Sequence, residues 1–215
     1  MDERTTGAIL RTRPLTETSL IVHWLTPDLG RLATVAKGAR RPKSPFRGKL
    51  DLFYLVDFNF VRSRRSELHT LREARLRETH SALRENLVYL QQASYGAALI
   101  EQTTETETPL PGIFALFTAL LGHLPAHPPQ PIAVLAFEAK LLQELGLAPP
   151  SQASRLSPGA QQILLRLIEL DWAALPNLKP SSAQVRELGQ FLHHFLVYHL
   201  GKVPRGRDQA LAKED

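Results

Sequence analysis

Cysteine is absent from the 215-residue chain. That excludes a disulfide framework, thiolate nucleophiles and every zinc site built on cysteine. It also fits a reducing compartment, with the cytoplasm as the expectation. Long apolar runs are missing: no uninterrupted stretch approaches the roughly 20 residues of a membrane-spanning helix. The opening segment, MDERTTGAIL, is acidic and charged where a signal peptide is basic and then apolar. The common catalytic fingerprints are lacking as well, with no P-loop, no dinucleotide-binding glycine pattern and no Gly-x-Ser-x-Gly. Histidines form no metal constellation. His193 and His194 are adjacent and face different sides of a helix, and His199 follows His194 by five residues rather than four. His123 and His127 sit near a proline-rich loop, where exposure accounts for them. Glu138, in an apolar helical segment, reads as a structural hydrogen-bond partner rather than a general base. The expectation is a protein with no catalytic residue, no metal and no cofactor.

What is present is positive charge, unevenly placed. Residues 1–79 carry 16 Lys and Arg against 9 Asp and Glu, whereas residues 80–215 carry 10 against 12. Such asymmetry points to an anionic partner for the first part. The densest stretch is KGARRPKSPFRGKL, with Lys37, Arg40, Arg41, Lys43, Arg47 and Lys49 and no acidic residue.

Periodicity divides the chain at the same place. GAILRTR, SLIVHWLT, RLATVAKG, LDLFYLVDFNFV and ELHTLREARL read as five strands. SLIVHWLT is apolar on both faces apart from His23, as in a buried strand. In the fourth segment Leu50, Leu52, Tyr54, Val56, Phe58 and Phe60 share a face opposite Asp51, Asp57 and Asn59, which predicts an unusually long strand bending across a barrel. Five short strands in about 75 residues suggest an OB-fold barrel, with an SH3-like barrel fitting almost as well. From Ser81 the period becomes helical, with Leu83, Leu87, Leu90 and Ala97 on one stripe. Four more helices follow. Gly146 and Gly201 are placed as C-terminal caps, and Ser157 with Pro158 as a start signal. KVPRGRDQALAKED reads as a loosely ordered tail. The expected architecture is therefore mixed and multi-domain, with an OB-fold domain over residues 1–79 and an all-α domain over 80–215.

The basic stretch falls in a loop between two predicted strands, stiffened by Pro42 and Pro45. Its cation density suits a sugar-phosphate backbone. Phe46 either stacks on a base or packs against the barrel. RSRRS (Arg62, Arg64, Arg65) forms a second basic turn between strands four and five, and such loops border the oligonucleotide face of OB-folds. Two basic loops on one barrel would make an electrostatic funnel. Arg186, Lys202, Arg205 and Arg207 put some positive charge at the far end, to meet DNA or an acidic peptide or to complement a helix dipole. An RNA-binding barrel and an adaptor gripping acidic peptides remain alternatives, with a metal-dependent nuclease a distant third.

The order of these features resembles the RecO family of bacterial recombination mediators. The resemblance rests on the strand with T-x-x-L-I-V, the T-P-x-x-G turn and V-A-K-G-A-R followed by a basic loop. LHTLREARL, FEAKLLQELGLAP, RLSPGA and YHLG extend it along nearly the whole chain. It implies an OB-fold followed by a helical domain. It also implies binding to single- and double-stranded DNA, strand annealing, and cooperation with RecR in loading RecA onto DNA covered by single-strand-binding protein (SSB), whose acidic tail is a further partner. The bacterial cytoplasm, at the nucleoid, is the implied location, with no membrane association. On matching positions, Lys37, Arg40 and the basic loop after them are the implied DNA contacts. No motif fixes a pocket for the SSB tail. Many members insert a four-cysteine zinc module between segments like LGLAP and RLSPGA; here the connection is PSQAS, so the module is missing, which puts any zinc-dependent property in doubt and leaves the rest intact.

Overall fold

A computed structural model describes residues 2–149 and 156–212. The PSQAS connection, residues 150–154, lies outside the described residues. The chain forms two compact units, Met1–Ser81 with Thr104–Ala115, and Ala82–Thr103 with Leu116–Asp215.

The first unit is a closed five-stranded barrel, ordered β1-β2-β3-β5-β4, with β1 at Asp2–Pro14, β2 at Leu20–Thr26, β3 at Gly30–Ala36, β4 at Leu55–Val61 and β5 at Leu68–Glu78. All pairings are antiparallel except β3 with β5. This OB-like closure depends on β1, which is longer than GAILRTR suggests. Its first half pairs with β4 and its second with β2, and a bulge between Ile9 and Arg11 turns the strand from one neighbour to the other. Inward residues alternate along β3 and β4, while β2 is buried on both faces except at its first residue, Leu20, and at His23. Trp24 stacks on Phe58 with ring centroids 4.0 Å apart. Its indole N–H donates to the buried Thr34 hydroxyl at 2.9 Å, so the only polar atom of the ring is satisfied. Each fully buried aromatic of this core contributes roughly 1.5–3 kcal/mol.

The long fourth strand is corrected. Pairing starts at Leu55, not Leu50. Phe53 adopts a φ of +65° and is fully buried, with its N–H donating to the Ile9 carbonyl at 2.9 Å. Alternation continued through Leu50–Tyr54 because those side chains pack, while their backbone turns.

Thr104–Ala115 counts with the barrel although it follows the domain boundary drawn at residue 80. The Arg31 Nε donates to the Thr104 hydroxyl at 2.7 Å, Glu107 N–H donates to the Arg31 carbonyl at 2.8 Å, and Leu110 N–H donates to Pro27. Gly30 makes this approach possible. Its φ is +66°, and a Cβ there would stand 1.8 Å from the Thr108 carbonyl oxygen.

In chain order the helices are α1 (Leu87–Thr103), α2 (Pro111–His123), α3 (Pro131–Glu144), α4 (Pro158–Glu169), α5 (Ser182–Leu200) and the short α6 (Arg207–Ala210). Within the second unit α3 is the central element, with eleven buried residues and apolar character all round. The Ser157 hydroxyl accepts from Ala160 N–H, and Ser181 with Gln184 forms a full capping box. Gly146 and Gly201 take left-handed φ values of +71° and +75° just past α3 and α5. The helical stripe starting at Ser81 is corrected: residues Ser81–Glu85 form a 3₁₀ turn, Asn86 caps Val88, and Leu87 is 68% exposed.

The loosely ordered tail is corrected too for residues 202–212, while residues 213–215 lie outside the described residues. Arg207 is buried, and its guanidinium grips the fully buried Glu138 through two bonds of 2.6 and 2.8 Å. Tyr95 O–H donates to the same carboxylate, and Gln92 donates to the Ala210 carbonyl at 3.1 Å. Burial, then the adjacent Glu138 charge, pushes the Tyr95 hydroxyl pKa upward, so it stays a donor. Glu138 is thus the structural partner its position suggested.

Candidate nucleic-acid interface

Between Ala36 and Leu55 the chain is not a floppy excursion. Successive backbone bonds fold it into consecutive turns: Arg41 N–H to Gly38, Ser44 to Arg41, Arg47 to Ser44 and Lys49 to Phe46, each between 3.0 and 3.2 Å. Phe46, 6% exposed, drops into the barrel core and anchors the middle of the loop. Its role is packing, not a platform for a base. Arg40 fastens the loop to the β1–β2 turn, its N–H reaching the Thr18 carbonyl at 3.0 Å and its guanidinium the Thr16 carbonyl at 2.9 Å.

On this frame Lys37, Arg40, Arg41, Lys43 and Arg47 are exposed and Lys49 is half-buried. None of the six forms an ion pair with a carboxylate among the described residues. Arg40, Arg41 and Arg47 line a shallow cavity of about 410 Å³ whose apolar side is Leu20, Phe46 and Leu50. Guanidinium groups without a carboxylate partner, those of Arg40 and Arg47 braced on the Thr16 and Pro42 carbonyls, surround an open depression and present positive charge to it.

RSRRS does not join this surface. The basic loop precedes β4 and RSRRS follows it, so the two join opposite ends of a seven-residue strand about 20 Å long. The two-loop funnel is therefore corrected. Within RSRRS, Arg64 and Arg65 are exposed, whereas Arg62 is tied to Glu3 at 2.7 Å and to Glu107 at 2.7 Å. The hydrogen bond from Arg62 holds the Glu3 carboxyl below its ordinary pKa. Glu107 also accepts from His69 Nε2 at 2.8 Å, while His69 Nδ1 accepts from Ser63 N–H. Arg62 is thus a bracket within the barrel unit.

Composition and spacing did not single out a third set of cations. Arg4 on β1 and Arg72 and Arg75 on β5 are exposed and share a cavity of about 330 Å³ with Lys49. The arginine-rich run LREARLRE was the available signal, but the grouping needs the register of three strands. Asp57 on this wall would be raised by burial, yet hydrogen bonds from Thr6 and Arg77 win and hold it below the ordinary carboxylate range.

In the second unit Arg186, Lys202 and Arg205 are exposed, but Arg207 is consumed by Glu138 and offers no charge to a partner. His123 is half-buried, packed against Trp172 and His127 with centroids 5.0 and 4.7 Å away, not simply exposed. Burial, then the neighbouring His127, lowers its pKa to about 4. No group of three or more His, Cys, Asp or Glu able to hold a metal occurs among the described residues, and no helix there is long and apolar enough to cross a membrane.

Comparison with known proteins gives a consistent result. The family model described as Recombination protein O N terminal matches residues 1–80, and that described as Recombination protein O C terminal matches residues 84–154. The DNA repair protein RecO of Anaeromyxobacter sp. (strain K) is 32% identical over 231 residues, covering 92% of this chain and 91% of that protein. Its counterpart from Anaeromyxobacter dehalogenans (strain 2CP-C) is 29% identical with the same coverage. The RecO of Rhodopirellula baltica is 34% identical over 144 residues, which spans 67% of this chain and 53% of that protein.

Proposed function

The chain belongs to the RecO family of DNA repair proteins, and from that premise we propose that it is a non-enzymatic recombination mediator that holds DNA on its basic loop. The observation that carries this reading is the Phe46-anchored loop with Arg40, Arg41, Lys43 and Arg47 exposed and without a carboxylate partner. A cation held in place without a carboxylate partner adds little to folding stability, but it can displace condensed counterions from a phosphate backbone. Lys37, Lys49, Arg64 and Arg65 add positive field around the barrel. Arg62 supports the barrel and is left out of the contact set.

Annealing complementary strands is downhill, so the protein need only lower phosphate repulsion and raise local concentration, without nucleotide hydrolysis. With RecR it would help load RecA onto single strands covered by SSB, reached in part through the acidic SSB tail. The bacterial cytoplasm, at the nucleoid, is where it would act. The test is annealing of two labelled complementary oligonucleotides coated with SSB, followed by fluorescence transfer without added nucleotide. The wild-type protein should accelerate annealing, and the variant with Arg40→Ala, Arg41→Ala and Lys43→Ala should lose most of that acceleration. Equal rates with and without the protein would refute the reading.

A further inference from the structure

We infer that the outer wall of β1, β4 and β5 is a second track for single-stranded nucleic acid, so that one barrel holds two strands at once. The inference rests on the reading of the basic loop as a phosphate surface and adds a site to it.

Register brings the wall together. Arg4, Asn59 and Glu73 form one rung across the three strands, and Thr6, Asp57 and Arg75 form the rung two residues along. The β4–β5 irregularity between Asn59 and Phe60 leaves Arg72 as the extra residue, since Asn59 opposes Glu73 and Phe60 opposes Leu71. Lys49 reaches the same cavity from the end of the basic loop. The two carboxylates are already occupied: Asp57 accepts from Thr6 and, at 2.8 Å, from Arg77, and Glu73 accepts from Asn59 at 3.1 Å. Arg4, Arg72, Arg75 and Lys49 make no ion pair among the described residues. Four cations therefore line one concave surface, and although the field of Arg4 helps to lower the Asp57 pKa, none of the four is held by a carboxylate.

The chemistry favours a nucleic acid strand over an acidic peptide. Of the apolar residues beside the cavity only Pro45 is exposed, with Phe46 and Ala74 buried behind it, and Pro45 and Lys49 make the cavity continuous with the basic loop read as a phosphate surface. Beside it, Asn59, Asp57 and Glu73 place amide and carboxylate oxygens, acceptors for base amino groups to which the side chains of an acidic peptide have nothing to donate. The arginine forks are matched to phosphate oxygens.

The wall is also separate from the loop cavity. Phe46 borders both and is buried between them, with Arg40, Arg41 and Arg47 on one side and Arg4, Arg72 and Arg75 on the other. Two strands held on adjoining tracks would meet at millimolar effective concentration, which makes pairing nearly intramolecular.

Native mass spectrometry of the full chain with a homocytidylate of about eight nucleotides, within the span of one barrel site, reads the stoichiometry directly. Wild type should progress from one to two oligonucleotides per chain. The variant Arg4→Ala, Arg72→Ala, Arg75→Ala should stop at one while keeping the first affinity, and the matching Arg→Gln variant should do the same, which separates charge loss from misfolding. Saturation of wild type at one, with the wall variants unchanged, would overturn the second track and leave the loop reading intact. Loss of binding to an acidic peptide, with no change in oligonucleotide stoichiometry, would also overturn it. No complex at all would overturn both readings.

Discussion

Arginine does opposite work in the two units. In the helical unit Arg207 is 7% exposed and locked to a carboxylate with no exposure at all. In the barrel unit Arg41 and Arg47 stand in solvent on a turn-built loop without a carboxylate partner. Arg62 lies between these extremes, a partly exposed bracket between Glu3 and Glu107. The difference teaches where function can reside. A buried pair compensates its own desolvation and has no charge left to offer, whereas an unpaired exposed cation leaves its field available to a partner.

The comparison breaks most visibly at the buried pair. Glu138→Ala should strand the Arg207 guanidinium in the helical core and cost about 3–5 kcal/mol. Chemical denaturation should show that loss, and a Glu138→Leu, Arg207→Leu double variant should recover much of it. Gly30→Ala should be next, with about 1–2 kcal/mol for the left-handed backbone alone and more from the clash with the Thr108 carbonyl; the barrel's melting temperature reads it. Ser181→Ala should remove the capping box of α5 and cost about 1 kcal/mol, visible as a small fall in the denaturation midpoint.

Acid should act on both units through histidine. Burial, then Arg11, Arg13 and Arg31, takes the His23 pKa from 6.5 to about 4, and His123 falls to about 4 as well. Between those values the unfolded chain carries protons that the folded chain does not, so stability is full above pH 6.5 and is lost as pH falls towards 4. Denaturation at several pH values should show this decline, and His123→Phe should make it shallower.

Much of this was legible from local pattern. Alternation put Val56, Phe58 and Phe60 on one face, and Ser157, Gly146 and Gly201 marked helix ends through backbone chemistry confined to one turn. Where pattern and backbone part company, the reading failed: Leu50–Tyr54 continue an alternation that the positive φ of Phe53 ends. Partners far apart in sequence were invisible. Arg207 lies 69 residues from Glu138, and Glu107 meets Arg62 and His69 only after the chain returns to the barrel. The loop cations were legible because they are consecutive, while Arg4, Arg72 and Arg75 come together only through strand register.

The most direct test of the central claim is fluorescence anisotropy of a labelled single-stranded oligonucleotide across a salt series. Wild type would be compared with the Arg40→Ala, Arg41→Ala, Lys43→Ala variant. At roughly 0.7 per phosphate contact on single strands, removing three contacts should weaken binding and flatten the slope of log K against log salt by about 2. Because these side chains are exposed, the variant's melting temperature should stay close to wild type. Unchanged affinity and slope in a folded variant would contradict the account and leave the loop a solvated surface run.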